Sequence, residues 1–389
     1  MANLAAEFHP RRIFDHPDPY PVFAAVRHAD PPVEKMDLFT RRCALVTTYD
    51  DCVTVLRDAD TWSSASNDQV GMIMGRTLIE MDGREHTRHR QLVQQMFVPK
   101  YLDALTPVLV ALAHEIVDEF ARDGHADLVQ QFTARFPVQV IAHLTGVPRR
   151  DYPRFVGWAE DIVGFVRDIA RGLDAAAALR EYLLPIVQER RRAPGDDVIS
   201  KLVTGAVDGV GLTDDEVVNF LRLLIPAGAE TTYRLIGSTL FALLANDLVE
   251  RVRADRTLVP WALEETLRWE TPVLFVSRLC TRDGEIHGVP VAKGEVAMVV
   301  IASGNRDEAR FADPDRFDLD RRAEDHLSFG FGRHHCLGYH LARQEARIAI
   351  DAILDRLPEL CVDRTAEPAR ITGLAFRSPT ALPVRFRPA

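Results

Sequence analysis

The chain has 389 residues, 47% of them apolar, and a net charge of −10. That is enough apolar material for a large core, and the acidic balance excludes general nucleic-acid binding. Five scattered cysteines (Cys43, Cys52, Cys280, Cys336, Cys361), odd in number and without C-x-x-C spacing, argue against a disulfide framework and for a reducing, cytoplasmic setting.

Met1–Arg12 has no apolar run, so no secretory signal is expected. Nor does any stretch of about 18 apolar residues suggest a membrane span or anchor. No linker, repeat or low-complexity run divides the chain, so one compact domain over residues 1–389 is expected. After the proline-rich His16–Pro21 come a short helix around Phe23–Val26, a strand at Ala44–Thr47 and a helix over Asp50–Leu56. Residues 61–80 read as irregular, with Met72, Ile73 and Met74 in an apolar loop between Gly71 and Gly75.

A helix opens at Arg84 and runs towards Gln95. His86 and Arg90 are four residues apart and share one face, which by itself is more often a solvated face than a site. Arg84, Arg88 and His89 add to a basic patch on an acidic protein. Residues 102–192 read as helical nearly throughout, with breaks at Gly124, Gly146–Pro148 and Arg171–Gly172. The run Arg190–Arg192 reads as a solvated helix end.

Thr213-Asp214-Asp215-Glu216 is a capping box. Behind it an apolar pattern from Glu216 to Ala245 predicts a helix of about 45 Å, at 1.5 Å per residue. Pro226-Ala227-Gly228-Ala229-Glu230-Thr231-Thr232 sits in its middle. Proline, glycine, a carboxylate and two hydroxyls break the local rule inside a strong helix, and such breaks mark functional sites. A kink is expected there. Glu265 and Arg268, three apart on the next helix, can pair. Strands are expected at Leu274–Val276, Glu285–Val289 and Glu295–Val300, with Gly284 and Gly294 at turns.

The most informative stretch is Phe329-Gly330-Phe331-Gly332-Arg333-His334-His335-Cys336-Leu337-Gly338, ahead of a helix from Leu341 towards Leu354. A thiol at a helix start meets unpaired N–H groups and the positive end of the dipole, which favour thiolate. Gly330 and Gly332 suit sharp turns, Phe329 can shield the sulfur, and Gly338 leaves room for a ligand. The residues alone leave four readings open. A zinc site would use His334, His335 and His340 but lacks a second cysteine. A thiol hydrolase would need a separately placed base. A buried structural cysteine is the bland reading. A thiolate axial ligand to haem is the fourth.

F-G-x-G-x-H-x-C-x-G resembles the cysteine loop of the cytochromes P-450 at every fixed position. Three further motifs stand in that family's order: His86/Arg90, Ala227–Thr232 and Glu265/Arg268. The resemblance implies a mainly α fold with small β-sheets around a buried haem b (iron protoporphyrin IX), ligated by Cys336. It implies that His86, Arg90, Arg278 and His334 hold the propionates, and that Ala227, Gly228, Phe329, Gly330 and Gly338 line the haem. Thr231 and Glu230 are then the catalytic pair that delivers protons to dioxygen. Glu265 and Arg268 become a structural pair completed by Arg316. Pocket contacts are expected from Met72, Ile73, Met74, Leu223, Ala227, Leu274, Phe275 and Val276. Leu374, Ala375 and Phe376 should join them from the tip of a closing hairpin that continues into Ala381–Phe386.

The implied activity is insertion of one oxygen atom from O2 into an apolar small molecule of terpenoid, steroid, fatty acyl or polyketide type. Electrons are expected indirectly from NAD(P)H through ferredoxin reductase and a ferredoxin, docking at Arg84, Arg88, His89 and Arg333 on a monomer. A peroxide-driven peroxygenase and a non-turnover haem sensor or carrier are the rival readings. The acid–threonine pair argues against both.

Overall fold

The computed structural model describes residues 16–38, 41–164 and 168–388. The reading of Met1–Arg12 lies outside them. Seven helices matter for the site: α1 (Gly83–Gln94), α2 (Phe136–Leu144), α3 (Tyr152–Val163), α4 (Ile169–Arg192), α5 (Asp214–Ala245), α6 (Val259–Trp269) and α7 (Tyr339–Arg356). Helix α5 is the axis. Its start is fixed by the capping box, in which the Thr213 hydroxyl accepts from Glu216 N and the Glu216 carboxylate accepts from Thr213 N. Helices α2, α3, α4, α6 and α7 all pack on it. The main apolar core runs between them, through residues such as Phe132, Phe136, Leu221, Ile225 and Leu354.

A five-stranded sheet flanks this helical body: β1 (Val33–Leu38), β2 (Arg41–Val46), β3 (Trp62–Ser63), β4 (Val276–Cys280) and β5 (Val296–Val299), in the order β1-β2-β5-β4-β3. Only the β5–β2 pair is parallel. Register places Arg278 opposite Ala297. Two apolar clusters cover the sheet, one around Leu45, Leu274 and Leu374 and one around Val46, Val55 and Val299.

Several boundaries differ from the sequence reading. Gly71–Met74 is not a loop but belongs to a helix, Asp68–Met74. Gly172 lies buried inside α4 and is not a break. Gly284 starts a strand that turns at His287–Gly288, where both residues have positive φ. The terminal segment Pro383–Arg385 pairs with Cys361–Val362 and His125–Asp127. The closing hairpin is instead β6 (Ile371–Thr372) with β7 (Ser378–Pro379).

Beneath the cysteine loop, Glu265 and Arg268 are fully buried and bonded at 2.7 Å. Arg268 also donates to the carbonyls of Asn305, Pro314 and Arg316. The arginine that reaches Glu265 is Arg321, at 3.2 Å. Arg316 gives Arg268 its carbonyl, while its own guanidinium is exposed and pairs with Asp318.

Candidate functional site

The Cys336 loop is shaped by two left-handed glycines, Gly330 (φ 70°) and Gly332 (φ 71°). A Cβ on Gly332 would lie 2.8 Å from the Leu56 carbonyl oxygen, so only glycine fits without displacing backbone. Cys336 N donates to Phe329 O at 2.7 Å, closing the loop. Gly338 is the N-cap of α7, and the space where its Cβ would lie is open. Cys336 is partly open, but it opens into an internal cavity. Burial pushes its thiol up, against the Gly338 backbone hydrogen bond and the charges of Arg90 and Arg343.

The four expected basic residues line the same cavity, His86 and Arg90 from α1, Arg278 from β4 and His334 from the loop, and Arg41 and His335 join them. The rings of His86 and His334 lie 4.2 Å apart. Burial, then His334 and Arg90, drag His86 down to about 4. Its Nδ1 is buried with no partner. Arg90 donates to the His335 carbonyl at 2.8 Å, and Arg278 to the Ser277 carbonyl at 2.8 Å. Burial lowers Arg278 to about 10. Neither arginine forms an ion pair among the described residues. His334 pairs with Asp82 at 2.9 Å, a residue the sequence reading missed although it stands directly before α1. Asp82 also accepts from Ser63 Oγ and Ser64 N, and these bonds outweigh burial to hold its carboxyl below the ordinary range.

On the opposite wall, Ala227, Gly228, Thr231 and Thr232 face the cavity from α5. The helix runs through Pro226 without a break. The Thr231 hydroxyl donates back to the Ala227 carbonyl at 2.9 Å, one turn before it, a bond of the kind that competes with the backbone ladder and bends helices. Gly228 also serves packing: a Cβ there would meet Ile141 Cδ1 of α2 at 2.6 Å. Glu230 does not line the cavity. Its carboxylate is gripped by Arg234 one turn on, and Tyr233 donates to it at 3.3 Å. Spacing of four along one helix was the signal that could have found Arg234.

The cavity measures about 630 Å³. Of the expected pocket contacts, Leu223, Ala227, Phe275, Val276 and Phe376 line it. Met72 does not, being 74% exposed, while Ile73 and Met74 turn into the helical core. Leu274 and Leu374 are buried together behind the sheet. Ala375 stays behind with them, its carbonyl accepting from Leu274 N. Lining residues that sequence reading missed include Phe97, Phe220, Leu224 and Leu235, which look like ordinary core positions until the fold brings them together.

Residues 153–380 match the family model for cytochrome P450. Cytochrome P450 monooxygenase PikC of Streptomyces venezuelae is 35% identical over 95% of this chain and 91% of that protein. The chain belongs to the cytochrome P450 family. This P450 is also 34% identical to a steroid C26-monooxygenase of Mycobacterium tuberculosis, over 89% of the chain and 95% of the relative. Its fold superposes on cytochrome P450 CYP109Q5 from Chondromyces apiculatus with a TM-score of 0.89, at 32% identity and 98% coverage of both chains. It is thus a P450 monooxygenase, an oxidoreductase of a family that uses haem iron and O2. Among the described residues no single helix is long and apolar enough to cross a membrane.

The P450 site fits its cofactor. A haem brings two propionates, and the unpartnered His86 Nδ1 with Arg90 and Arg278 supplies donors that lack carboxylates. Among the described residues the only acid on the cavity wall is Glu345, which is fully buried with both oxygens unpartnered, and burial pushes its carboxyl well up. It adds no charge to oppose the propionates.

Proposed function

We propose that this P450 is a single haem domain that inserts one oxygen atom from O2 into an apolar small molecule, using electrons from a separate ferredoxin. The observation that carries it is the cavity itself. It has Cys336 at one wall, the Thr231 hydroxyl at another, and Leu223, Phe275, Val276 and Phe376 as an apolar lining. Similarity to a steroid C26-monooxygenase supports a steroid-sized substrate, within the wider class of terpenoids, fatty acyl chains and polyketides.

In this reading Cys336 would hold a haem by its thiolate, and that group would supply dioxygen activation when bound. His86, Arg90, Arg278 and His334 hold the propionates by charge-assisted hydrogen bonds. Apolar side chains hold substrate and exclude water. Thr231 Oγ1 holds a proton at the cavity wall, and Glu230 is the acid that reloads it. A peroxygenase would need neither group, and a sensor would need no proton route.

For the redox partner, Arg84, Arg88 and Arg333 form the basic face, with Arg84 and Arg333 exposed and Arg88 half-buried. His89 does not contribute: it is buried and bonds Glu216 at 3.2 Å. Electrons come indirectly from NAD(P)H, in the cytoplasm, to a monomer.

The test is a spectral binding screen of steroids, terpenoids, fatty acids and macrolides on the haem-loaded protein, followed by turnover with ferredoxin and its reductase. Oxidised product from an apolar compound is expected. No product with any electron donor would revive the sensor. Cys336→Ala should abolish the red-shifted carbonyl Soret band of the reduced protein; if the band persists, Cys336 is not the ligand.

A further inference from the structure

One contact set ties the proton-handling end of α5 to the cavity lining. Arg234 Nε donates to Glu230 Oε1 at 2.9 Å, and Nη2 reaches the same oxygen. Arg234 Nη1 donates to Ser378 Oγ of the closing hairpin at 3.1 Å. Its guanidinium carbon also lies 5.6 Å from the ring centre of Phe376, at that hairpin's tip. Phe376 lines the cavity and Glu230 does not. Both members of the ion pair are nearly buried, with side-chain exposures of 11% and 13%. One guanidinium therefore touches the acid, the hairpin and a substrate-facing ring.

We propose that Arg234 is a positioning residue that couples occupation of the cavity to proton supply: it holds Glu230 outside, and displacement of Phe376 loosens that hold. A molecule filling the cavity pushes on the Phe376 ring. The hairpin moves, carrying Ser378, and Arg234 is drawn with it. Glu230 is then free to change rotamer towards the cavity wall beside Thr231. A buried carboxylate parted from its cation takes up a proton, because its charged form has lost its stabilising partner. The proton balance is simple: the carboxylate binds one proton from solvent and becomes a carboxylic acid able to donate.

Two other titratable groups face Glu230. Tyr233 is held protonated by burial and stays a donor. Glu160, on α3, is pushed up by burial, then by Asp161 and Glu230, against Arg171. The inference rests on reading Glu230 and Thr231 as the proton-handling pair.

The experiment measures protons taken up on ligand binding, without turnover. The probe is 4-phenylimidazole, which ligates haem iron and fills the space above it whatever the natural substrate is. Binding to the haem-loaded protein at pH 7.5 is followed by calorimetry in two buffers of different ionisation enthalpy. Wild type should take up a measurable fraction of a proton. Glu230→Gln should lose that uptake. Arg234→Gln should lose it too, since the hold is absent before and after binding, while Arg234→Lys should keep most of it. Phe376→Ala should reduce it by removing the ring that transmits the push. No uptake in wild type, or uptake that survives Glu230→Gln or vanishes only in Glu160→Gln, would overturn the proposal. A purely structural Arg234 would alter affinity but leave the uptake of Arg234→Gln unchanged. The pair's own role is decided separately, by coupling in Thr231→Ala.

Discussion

Arg268 Nη2 lies 2.7 Å from Glu265 Oε1, one helical turn away, and neither side chain has any solvent exposure. This pair does not stand alone. Glu265 also accepts from Asp318 N at 2.9 Å and from Arg321 at 3.2 Å, and Arg268 gathers three carbonyls of the segment leading to the cysteine loop. Each removal strands a buried charge, at about 3–5 kcal/mol. Glu265→Gln should therefore abolish haem retention or leave the protein insoluble. Arg321→Ala, at the rim of the same cluster, should lower the thermal midpoint while haem still binds. A scan of haem-loaded yield and midpoint for both variants checks this order.

A second cluster sets a pH limit. Glu264 is bonded by Arg343 at 2.6 Å and by His326 at 3.0 Å. Burial raises its carboxyl, but those bonds outweigh it and hold Glu264 at about 2. Its folded value lies below its unfolded one, so the stability it contributes is present above about pH 4.5 and is lost as pH falls towards 2. The shift corresponds to about 3 kcal/mol. Glu264→Gln should destabilise the protein by roughly that order at pH 7, with the gap to wild type closing below pH 3. Denaturant midpoints at the two pH values decide it.

Gly332 carries a backbone prediction. Its φ of 71° and the Leu56 carbonyl 2.8 Å from its missing Cβ leave no room for a side chain. Gly332→Ala should cost about 1–3 kcal/mol through left-handed strain and displaced backbone. The shift should appear first as faster haem loss, since the strained residue belongs to the cysteine loop. Haem transfer to apomyoglobin gives the rate.

The distal hydroxyl is tested by coupling. Thr231→Ala should leave haem content and ligand binding nearly intact, while product per reductant falls and hydrogen peroxide appears. Thr231→Ser, which keeps the hydroxyl, should restore most of the yield. Full coupling in Thr231→Ala would remove the role proposed for it.

Electron delivery makes a salt-dependent prediction. Arg84 is exposed at the start of α1, beside the basic groups of the loop side. Arg84→Glu should slow reduction by an acidic ferredoxin at low ionic strength, and the difference should shrink as salt screens the charges. Reduction by dithionite should not change. Equal ferredoxin rates for both proteins at low salt would argue against this face.

What the sequence determined by itself was the local chemistry: the Cys336 loop, the capping box at Thr213, the helix through Thr231 and the order of the four motifs. Those depend on residues within one or two turns of each other, where spacing dictates which side chains share a face. Tertiary structure alone decided the rest. It chose Arg321 over Arg316 as the partner of Glu265, brought Asp82 to His334, turned Ile73 and Met74 into the core, and buried His89. It also placed Glu230 against Arg234 and outside the cavity. Each of these is a competition between distant groups for one buried donor, acceptor or charge. Its outcome depends on solvent exclusion, which exists only once the helices and the sheet have packed.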